Sequence, residues 1–96
     1  MLTGKQKRYL RSQAHHLDPI FQVGKGGVNE NMIKQVNEAL EARELIKISI
    51  LQNCEEDKDT VAETLVEGTK AELVQVIGKI IILYKESKEH KAIKLP

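Results

Sequence analysis

Residues 20–29 read Ile-Phe-Gln-Val-Gly-Lys-Gly-Gly-Val-Asn, and this stretch decides the fold class. Its first four residues are mostly β-branched or aromatic, which predicts a short strand over 20–23. Three glycines in the next four positions break the chain sharply. Asn29 is a good N-cap for a helix over 30–43, so the sequence predicts a strand, a turn and a helix in direct succession.

Two further helices are predicted on either side of this stretch, over 4–16 and over 55–67. Thr3 can cap the first of them, and Asn53, with a glutamate three positions later, resembles a capping box for the other. Gly68 fits the C-terminal stop of that last helix. The chain therefore carries three helical segments, each with its own start signal.

The remaining regular segments are strands. Residues 46–50 alternate apolar and polar side chains, which predicts a strand. Only Gly78-Lys79 separates the segments 73–77 and 80–85, so these predict a tight hairpin in which Gly78 has a positive φ. The element order α-β-α-β-α-β-β predicts a two-layer α/β fold with a mixed four-stranded sheet, because strand–helix–strand units favour parallel strands whereas the hairpin is antiparallel.

Length and composition exclude several classes of protein. With 96 residues, the chain is expected to form one domain over 1–96. No apolar run approaches the roughly 20 residues of a membrane span, and no apolar signal core follows the first residues, so we expect a cytoplasmic protein with no membrane partner. We also expect a monomer. The single cysteine, Cys54, excludes an internal disulfide and a cysteine-based zinc site.

Patterns that would indicate an enzyme or a metal protein are missing. His15 and His16 are adjacent, so on a helix they point about 100° apart and do not form a metal pair. The glycine-rich segment lacks the Ser or Thr that follows Gly-Lys in nucleotide-hydrolysing loops. It also departs from the Gly-x-Gly-x-x-Gly pattern of dinucleotide-binding loops, because Asn29 stands at the position of the last glycine. The sequence therefore predicts no metal, no cofactor and no enzymatic activity.

Charge is distributed unevenly along the chain, although the formal net charge is only +1. Residues 1–28 hold five Lys or Arg residues against one acidic residue, whereas residues 29–67 hold four basic and ten acidic residues. The first predicted helix has an apolar face made of Gln6, Leu10, Ala14 and Leu17. Its opposite face is cationic and carries Lys5, Arg8, Arg11 and His15. This division favours a basic surface for a polyanionic partner, with chance clustering on a solvated surface as the alternative.

The glycine-rich segment 24–27 has the chemistry needed to hold a phosphate. Its glycines leave room for the backbone of a ligand, and it leads into a helix N-terminus whose free N–H groups favour an anion. Lys25 adds a mobile positive charge at the tip. The alternative interpretation is a turn that needs glycine only for positive φ angles.

A set of short motifs, in order along the whole chain, resembles a known family. The motifs are Lys5-Gln6-Lys7, Leu10-Arg11, His15, Leu17, Pro19, Gly24-x-x-Gly27, Glu44-Leu45-Ile46-Lys47, Val76-Ile77-Gly78-Lys79, Leu83-Tyr84 and Leu95-Pro96. In this combination the chain resembles the CRM-domain family (chloroplast RNA splicing and ribosome maturation) in its bacterial single-domain, YhbY-like form. The resemblance implies a fold like the C-terminal domain of translation initiation factor 3. It also implies a protein that binds RNA in precursors of the large ribosomal subunit and assists ribosome assembly.

The resemblance also implies which residues contact RNA. The family's Gly-x-x-Gly loop corresponds to Gly24, Lys25, Gly26 and Gly27. The basic first helix would border this loop with Lys5, Arg8, Arg11 and His15. Apart from the resemblance, we expect Lys34 of the second helix to contact a phosphate as well. Lys79 and Lys85 could extend the basic surface further, but the sequence does not place them on a face.

A protein-interaction adaptor is the second hypothesis. Residues 80–83 are Ile-Ile-Ile-Leu, and a strand of this composition puts apolar side chains on both faces of the sheet. If all helices pack on one face, the other face is an exposed patch that could dock a protein partner. Partial cover of that face by the first helix is the competing explanation.

Overall fold

The computed structural model of the chain describes residues 2–96 and contains three helices and one sheet. The helices are α1 (Gly4–Ala14), α2 (Glu30–Arg43) and α3 (Lys58–Thr69). The strands are β1 (Pro19–Val23), β2 (Leu45–Ile50), β3 (Glu72–Ile77) and β4 (Ile80–Tyr84). The strand order is β1-β2-β4-β3, with β1 parallel to β2 and with β4 antiparallel to both of its neighbours. The predicted α/β fold with a mixed four-stranded sheet is confirmed.

The two ends of this sheet differ, and we call them the hairpin end and the tail end. At the hairpin end, the Ile50 N–H donates to the Lys79 carbonyl at 2.8 Å and the Leu51 N–H donates to the Val23 carbonyl at 2.9 Å. The ends of β1 and β2 therefore lie level with the β3–β4 turn. Gly78 in that turn has a φ of 57°, as the tight hairpin predicts. At the opposite end, the tail end, the chain passes from α2 into β2. The chain also leaves β4 at this end and continues as residues 86–96, which we call the tail.

One face of the sheet is covered by α2 and α3. Strand alternation turns Ile46, Ile48 and Ile50 of β2 toward this face, together with Ile81 and Leu83 of β4. The apolar stripes of the two helices bury them through Val36, Leu40, Val61, Ala62 and Leu65. This cluster forms the larger part of the core, and burial of its apolar surface is the main stabilising contribution to the fold.

The other face is covered by α1 and the tail, so the premise of the adaptor hypothesis is wrong. Leu10 and Ala14 of α1 pack against Leu45, Val74, Ile82 and Tyr84, which are only 4–5% exposed. Ile93 and Leu95 of the tail complete the same cluster. The apolar side chains of β4 do point to both faces as predicted, and both faces are covered. Helices therefore lie on both sides of the sheet, rather than on one side as the predicted two-layer arrangement requires, because the apolar face of α1 packs on the face opposite to α2 and α3.

The boundaries of α1 and α3 differ from those predicted, for local reasons. The first helix stops at Ala14, with His15 as its C-cap. The third starts at Lys58 rather than at residue 55, because the Asp57 side chain, not that of Asn53, accepts the capping bond, from the Thr60 N–H at 2.7 Å.

Gly68 and Gln6 also have roles other than those predicted. Gly68 lies inside α3, which continues to Thr69 and ends with Lys70 in the left-handed conformation. A Cβ at position 68 would come within 2.5 Å of the Ile33 side chain, so this glycine permits close packing of α2 on α3. Gln6 is not part of the apolar face. It completes a capping box with Thr3, and its Nε2 donates to the Pro96 carbonyl at 3.3 Å.

Candidate nucleic-acid interface

The glycine-rich segment forms an exposed turn at the hairpin end. The Gly27 N–H donates to the Gly24 carbonyl at 3.0 Å, which closes a turn with Lys25 and Gly26 at its centre. Both central residues are exposed. The chain then reaches Asn29, whose side chain accepts from the Met32 N–H at 2.8 Å and caps α2. We call residues 24–27 the glycine turn.

The fold requires only one of the three glycines of this turn. Gly27 has a φ of 69°, and the Glu56 carboxylate occupies the position that a Cβ there would take. At Gly24 a Cβ would make only ordinary contacts, at 3.6 Å from Leu51 Cδ1. At Gly26 it would meet nothing within 4 Å, and φ lies outside the left-handed region. Conformation and packing therefore explain the glycine at 27 and leave the glycines at 24 and 26 unexplained, and of these two only Gly26 is exposed at the centre of the turn.

The basic residues predicted on α1 do share one exposed face. Lys5, Arg8, Arg11 and His15 are all exposed, and none of them pairs with a carboxylate among residues 2–96. The His15 ring lies edge-on to that of His16 with centroids 5.4 Å apart. Because they are unpaired, the lysine and arginine charges of this face are available to a ligand from solution.

The predicted site residues are not all on one side of the molecule. Helix α1 packs on the sheet face that carries Val74 and Ile82, whereas Lys34 projects into solvent from α2, which packs on the other face. The glycine turn lies at the end of the edge strand β1, in the plane of the sheet and thus between α1 on one face and α2 and α3 on the other. Lys34 is thus separated by the sheet from the cationic face of α1.

The two lysines that the sequence could not place have opposite environments. Lys79 is exposed at the tip of the hairpin. Lys85 is half-buried, and its Nζ donates to Asn37 Oδ1 at 3.1 Å and to the Thr69 carbonyl at 2.8 Å. Lys85 therefore ties α2, α3 and β4 together and satisfies the C-terminal end of α3, while Lys79 remains free to meet a ligand.

At the tail end, a buried carboxylate that sequence reasoning missed holds the tail. Glu44 follows α2 with a φ of 65° and is fully buried. Its Oε2 accepts from the Ser87 N–H at 2.8 Å, and its Oε1 accepts from the N–H groups of Ala92 and Ile93 at 2.7 and 2.9 Å. Burial raises the pKa of Glu44, but these backbone donors outweigh that effect, and the pKa lies below its ordinary value.

Glu41 holds the first part of the tail in the same way. Its carboxylate accepts from the Lys88 N–H at 2.9 Å, the Ser87 hydroxyl at 2.8 Å and the Glu89 N–H at 3.0 Å. These bonds, that of Lys88 first, lower the pKa of Glu41 to about 2. The tail has no regular secondary structure, but it is bound to α2 and its C-cap through two carboxylates.

Among residues 2–96, no helix is long and apolar enough to span a membrane. No three His, Cys, Asp or Glu side chains in that part of the chain are grouped so as to hold a metal ion.

The fold and the glycine turn together define an α/β domain with an exposed, basic, glycine-containing turn between a strand and a helix. Residues 2–85 match the family described as the CRS1 / YhbY (CRM) domain, and the chain belongs to that family.

Several relatives and one solved structure are similar over nearly their whole length. The "Probable RNA-binding protein YqeI" of Bacillus subtilis is 76% identical over 100% of both chains. An "RNA-binding protein" of Haemophilus influenzae is 40% identical over 99% of this chain and 95% of its own. The solution structure of SAV1595 from Staphylococcus aureus, a candidate RNA-binding protein, is 68% identical, covers 100% of both chains and superimposes with a TM-score of 0.83.

Proposed function

We propose that this protein is a non-enzymatic, cytoplasmic RNA-binding protein that acts as a monomer on precursors of the large ribosomal subunit and assists their assembly. Membership of the CRM family and the names of the similar proteins support the RNA-binding part. The ribosomal part rests on the resemblance to the YhbY-like members of the family.

The main structural support for the proposal is the presence of glycine at position 26. Neither its φ nor its packing requires glycine, and it lies beside the exposed Lys25 at the tip of the turn. A missing side chain at such a point leaves the backbone N–H groups open to an external group. A phosphate of an RNA backbone fits this arrangement, because it accepts backbone N–H bonds while the ammonium group neutralises its charge.

Helix α1 supplies the second part of the proposed surface. Lys5, Arg8 and Arg11 would contact further phosphates, and His15 would add a donor at the end of the same face. Phosphate contacts position an RNA but carry little sequence information. Of the three aromatic rings, those of Tyr9 and Phe21 are half-buried and that of Tyr84 is buried, so the chain offers few rings for stacking on bases. This scarcity supports recognition mainly through RNA shape and backbone.

The substitution Gly26→Asp tests the turn, with Gly26→Asn as its matched control. Both add a side chain of the same size in open space, but only aspartate adds a negative charge where we place a phosphate. We expect Gly26→Asp to weaken binding to a labelled large-subunit ribosomal RNA transcript by about tenfold or more, and Gly26→Asn by much less. Filter binding at fixed salt measures both, and thermal unfolding verifies that each variant is folded.

The same pair of variants tests the ribosomal part in cells. After crosslinking and sequencing of the attached RNA, the parent and Gly26→Asn proteins should enrich large-subunit ribosomal RNA precursors, and Gly26→Asp should lose that enrichment. Equal binding by a well-folded Gly26→Asp protein would remove the glycine turn from the RNA surface. Enrichment of random messenger fragments by the parent would contradict the ribosomal role.

A further inference from the structure

The hairpin tip lies beside the glycine turn. Backbone hydrogen bonds connect Val23 to Leu51 and Ile50 to Lys79, so the turn, the end of β2 and the hairpin tip lie in sequence across the hairpin end. Neighbouring strands are about 4.8 Å apart, which puts β1 and β4 about 10 Å apart. Lys25 and Lys79 therefore project from neighbouring parts of one surface.

Two large apolar side chains at this end are exposed, which is unusual for the exterior of the molecule. Leu51, at the end of β2 between the two lysines, is 38% exposed and lies next to Gly24. Ile77, at the end of β3 on the other side of Lys79, is 57% exposed. Neither Lys25 nor Lys79 pairs with a carboxylate among residues 2–96. The hairpin end thus presents two free ammonium groups with exposed apolar groups beside them. A strand of RNA has this alternation of anionic phosphates and less polar sugar and base surfaces.

The side of the turn that faces α3 has the opposite charge. The Glu56 carboxylate packs on Gly27 and makes no ion pair with any residue of 2–96. It is followed by Asp57 and Asp59 at the start of α3. A phosphate that approached the glycine turn from this side would meet unneutralised carboxylates, which disfavour it.

From this arrangement we infer that one RNA strand crosses the hairpin end from Lys25, over Leu51, to Lys79, and that Glu56 keeps it away from α3. Lys79 then makes a second contact with the phosphate backbone of the RNA. Glu56 repels the RNA from the α3 side and so sets the direction in which the RNA strand runs, which lowers the affinity for RNA. The inference rests on the proposed function, since it extends the surface of the glycine turn.

Three substitutions test this path through the affinity for the same ribosomal RNA transcript. One is expected to lower the affinity, one to raise it and one to leave it nearly unchanged. Lys79→Ala removes an ammonium group and is expected to weaken binding by about fivefold to tenfold. Glu56→Gln keeps the side chain that packs on Gly27 but removes its charge, and it is expected to strengthen binding by about threefold. Lys58→Ala is the matched control, because Lys58 is exposed on the acidic side of the turn, and its affinity should change by less than about twofold.

The outcomes separate this inference from the proposed function. If Gly26→Asp loses binding while Lys79→Ala binds like the parent, RNA contacts the turn but does not continue to the hairpin tip, and the inference is wrong. Weakening by Lys58→Ala equal to that by Lys79→Ala would also overturn it, because the effect would then be one of net charge. If Gly26→Asp and Lys79→Ala both bind like the parent, the proposed RNA surface itself is wrong.

Discussion

The two ends of the sheet treat charged groups in opposite ways. At the tail end, the carboxylates of Glu41 and Glu44 accept hydrogen bonds from backbone and hydroxyl groups of the tail, and Lys85 donates two. At the hairpin end, Lys25 and Lys79 are exposed and have no partner among residues 2–96. The tail end therefore uses its charges to hold the chain together, and the hairpin end keeps its charges free.

The physical reason for this difference is the cost of burial. A carboxylate taken out of water must recover its lost hydration through hydrogen bonds, and Glu44 does so with three backbone donors. An exposed lysine loses no hydration and adds little to stability, but it can neutralise a phosphate when one arrives. We expect substitutions at the tail end to change stability and substitutions at the hairpin end to change binding.

The largest expected effect is that of Glu44→Ala on stability. The substitution leaves the N–H groups of Ser87, Ala92 and Ile93 without their acceptor and weakens the attachment of the tail over α1. We expect the free energy of unfolding to fall by about 3 kcal/mol, measured by urea denaturation.

Glu38→Ala is the control for this prediction. Glu38 is exposed on the same helix, so its loss should change the free energy of unfolding by less than about 0.5 kcal/mol. Equal losses for the two variants would mean that the buried carboxylate does not hold the tail.

A smaller effect is expected from acid. The folded-state pKa values of Glu41, Glu44 and Asp57 lie below their ordinary values, so their contribution to stability is present above about pH 4.5. It is lost as the pH falls through the folded-state values, which for Glu41 is about 2. The melting temperature should therefore decline between pH 4.5 and 2.

Glu41→Gln makes the acid prediction specific. The variant cannot lose the charge that the parent loses, so its melting temperature should depend less steeply on pH in this range. Glu38→Gln, on the same helix, should keep the slope of the parent. Parallel curves for the parent and Glu41→Gln would show that the Glu41 hydrogen bonds do not stabilise the protein.

The smallest effects on stability are expected at the hairpin end. Lys25→Ala, Lys79→Ala and Gly26→Asn remove no hydrogen bond within the protein and create no steric contact, so each should change the free energy of unfolding by less than about 0.5 kcal/mol. If urea denaturation showed a large loss of stability for any of these variants, the hairpin end would contribute to stability as the tail end does, and the proposed difference between the two ends would be wrong.

The order of the elements could be predicted from local signals, and the exceptions show where local signals compete. Asn53 and Asp57 both stand before the third helix with side chains that can cap it, and the structure uses the later one. Gly68 has the residue type of a helix stop but serves the packing of Ile33, a contact 35 positions away in sequence that no local pattern records. Element types therefore follow from neighbours in sequence, whereas boundaries depend on neighbours in space.

The sequence predicts which segment forms the candidate site, but not which residues of that segment are required by the fold and which are free for a ligand. The sequence places three glycines at the end of a strand, yet only the φ of Gly27 and the position of Glu56 show which of them the fold requires. The sequence does not place Lys79, because the proximity of this residue to the glycine turn depends on the order β1-β2-β4 in the sheet.

The attachment of the tail leaves a signal in the sequence of α2. Glu41 and Glu44 lie in the last turn of α2 and just after it, where the helix dipole disfavours negative charge. Glu44 also occupies a helix C-cap with positive φ, where glycine is usual. Two carboxylates in an unfavourable position indicate donors from elsewhere in the chain, although the sequence does not show that residues 87–93 supply them.

The central position of β4 has a consequence for how the chain folds during synthesis. β4 is the last strand to be made, yet it lies between β2 and β3 and pairs with both. Until residue 84 has left the ribosome, β2 has an unpaired edge, and β3 has no neighbour to bind. A nascent chain that ends before β4 therefore exposes Ile46 and Ile48 beside an open strand edge, which favours association with other chains. Completion of the sheet is therefore delayed until Tyr84, at the end of β4, has been translated.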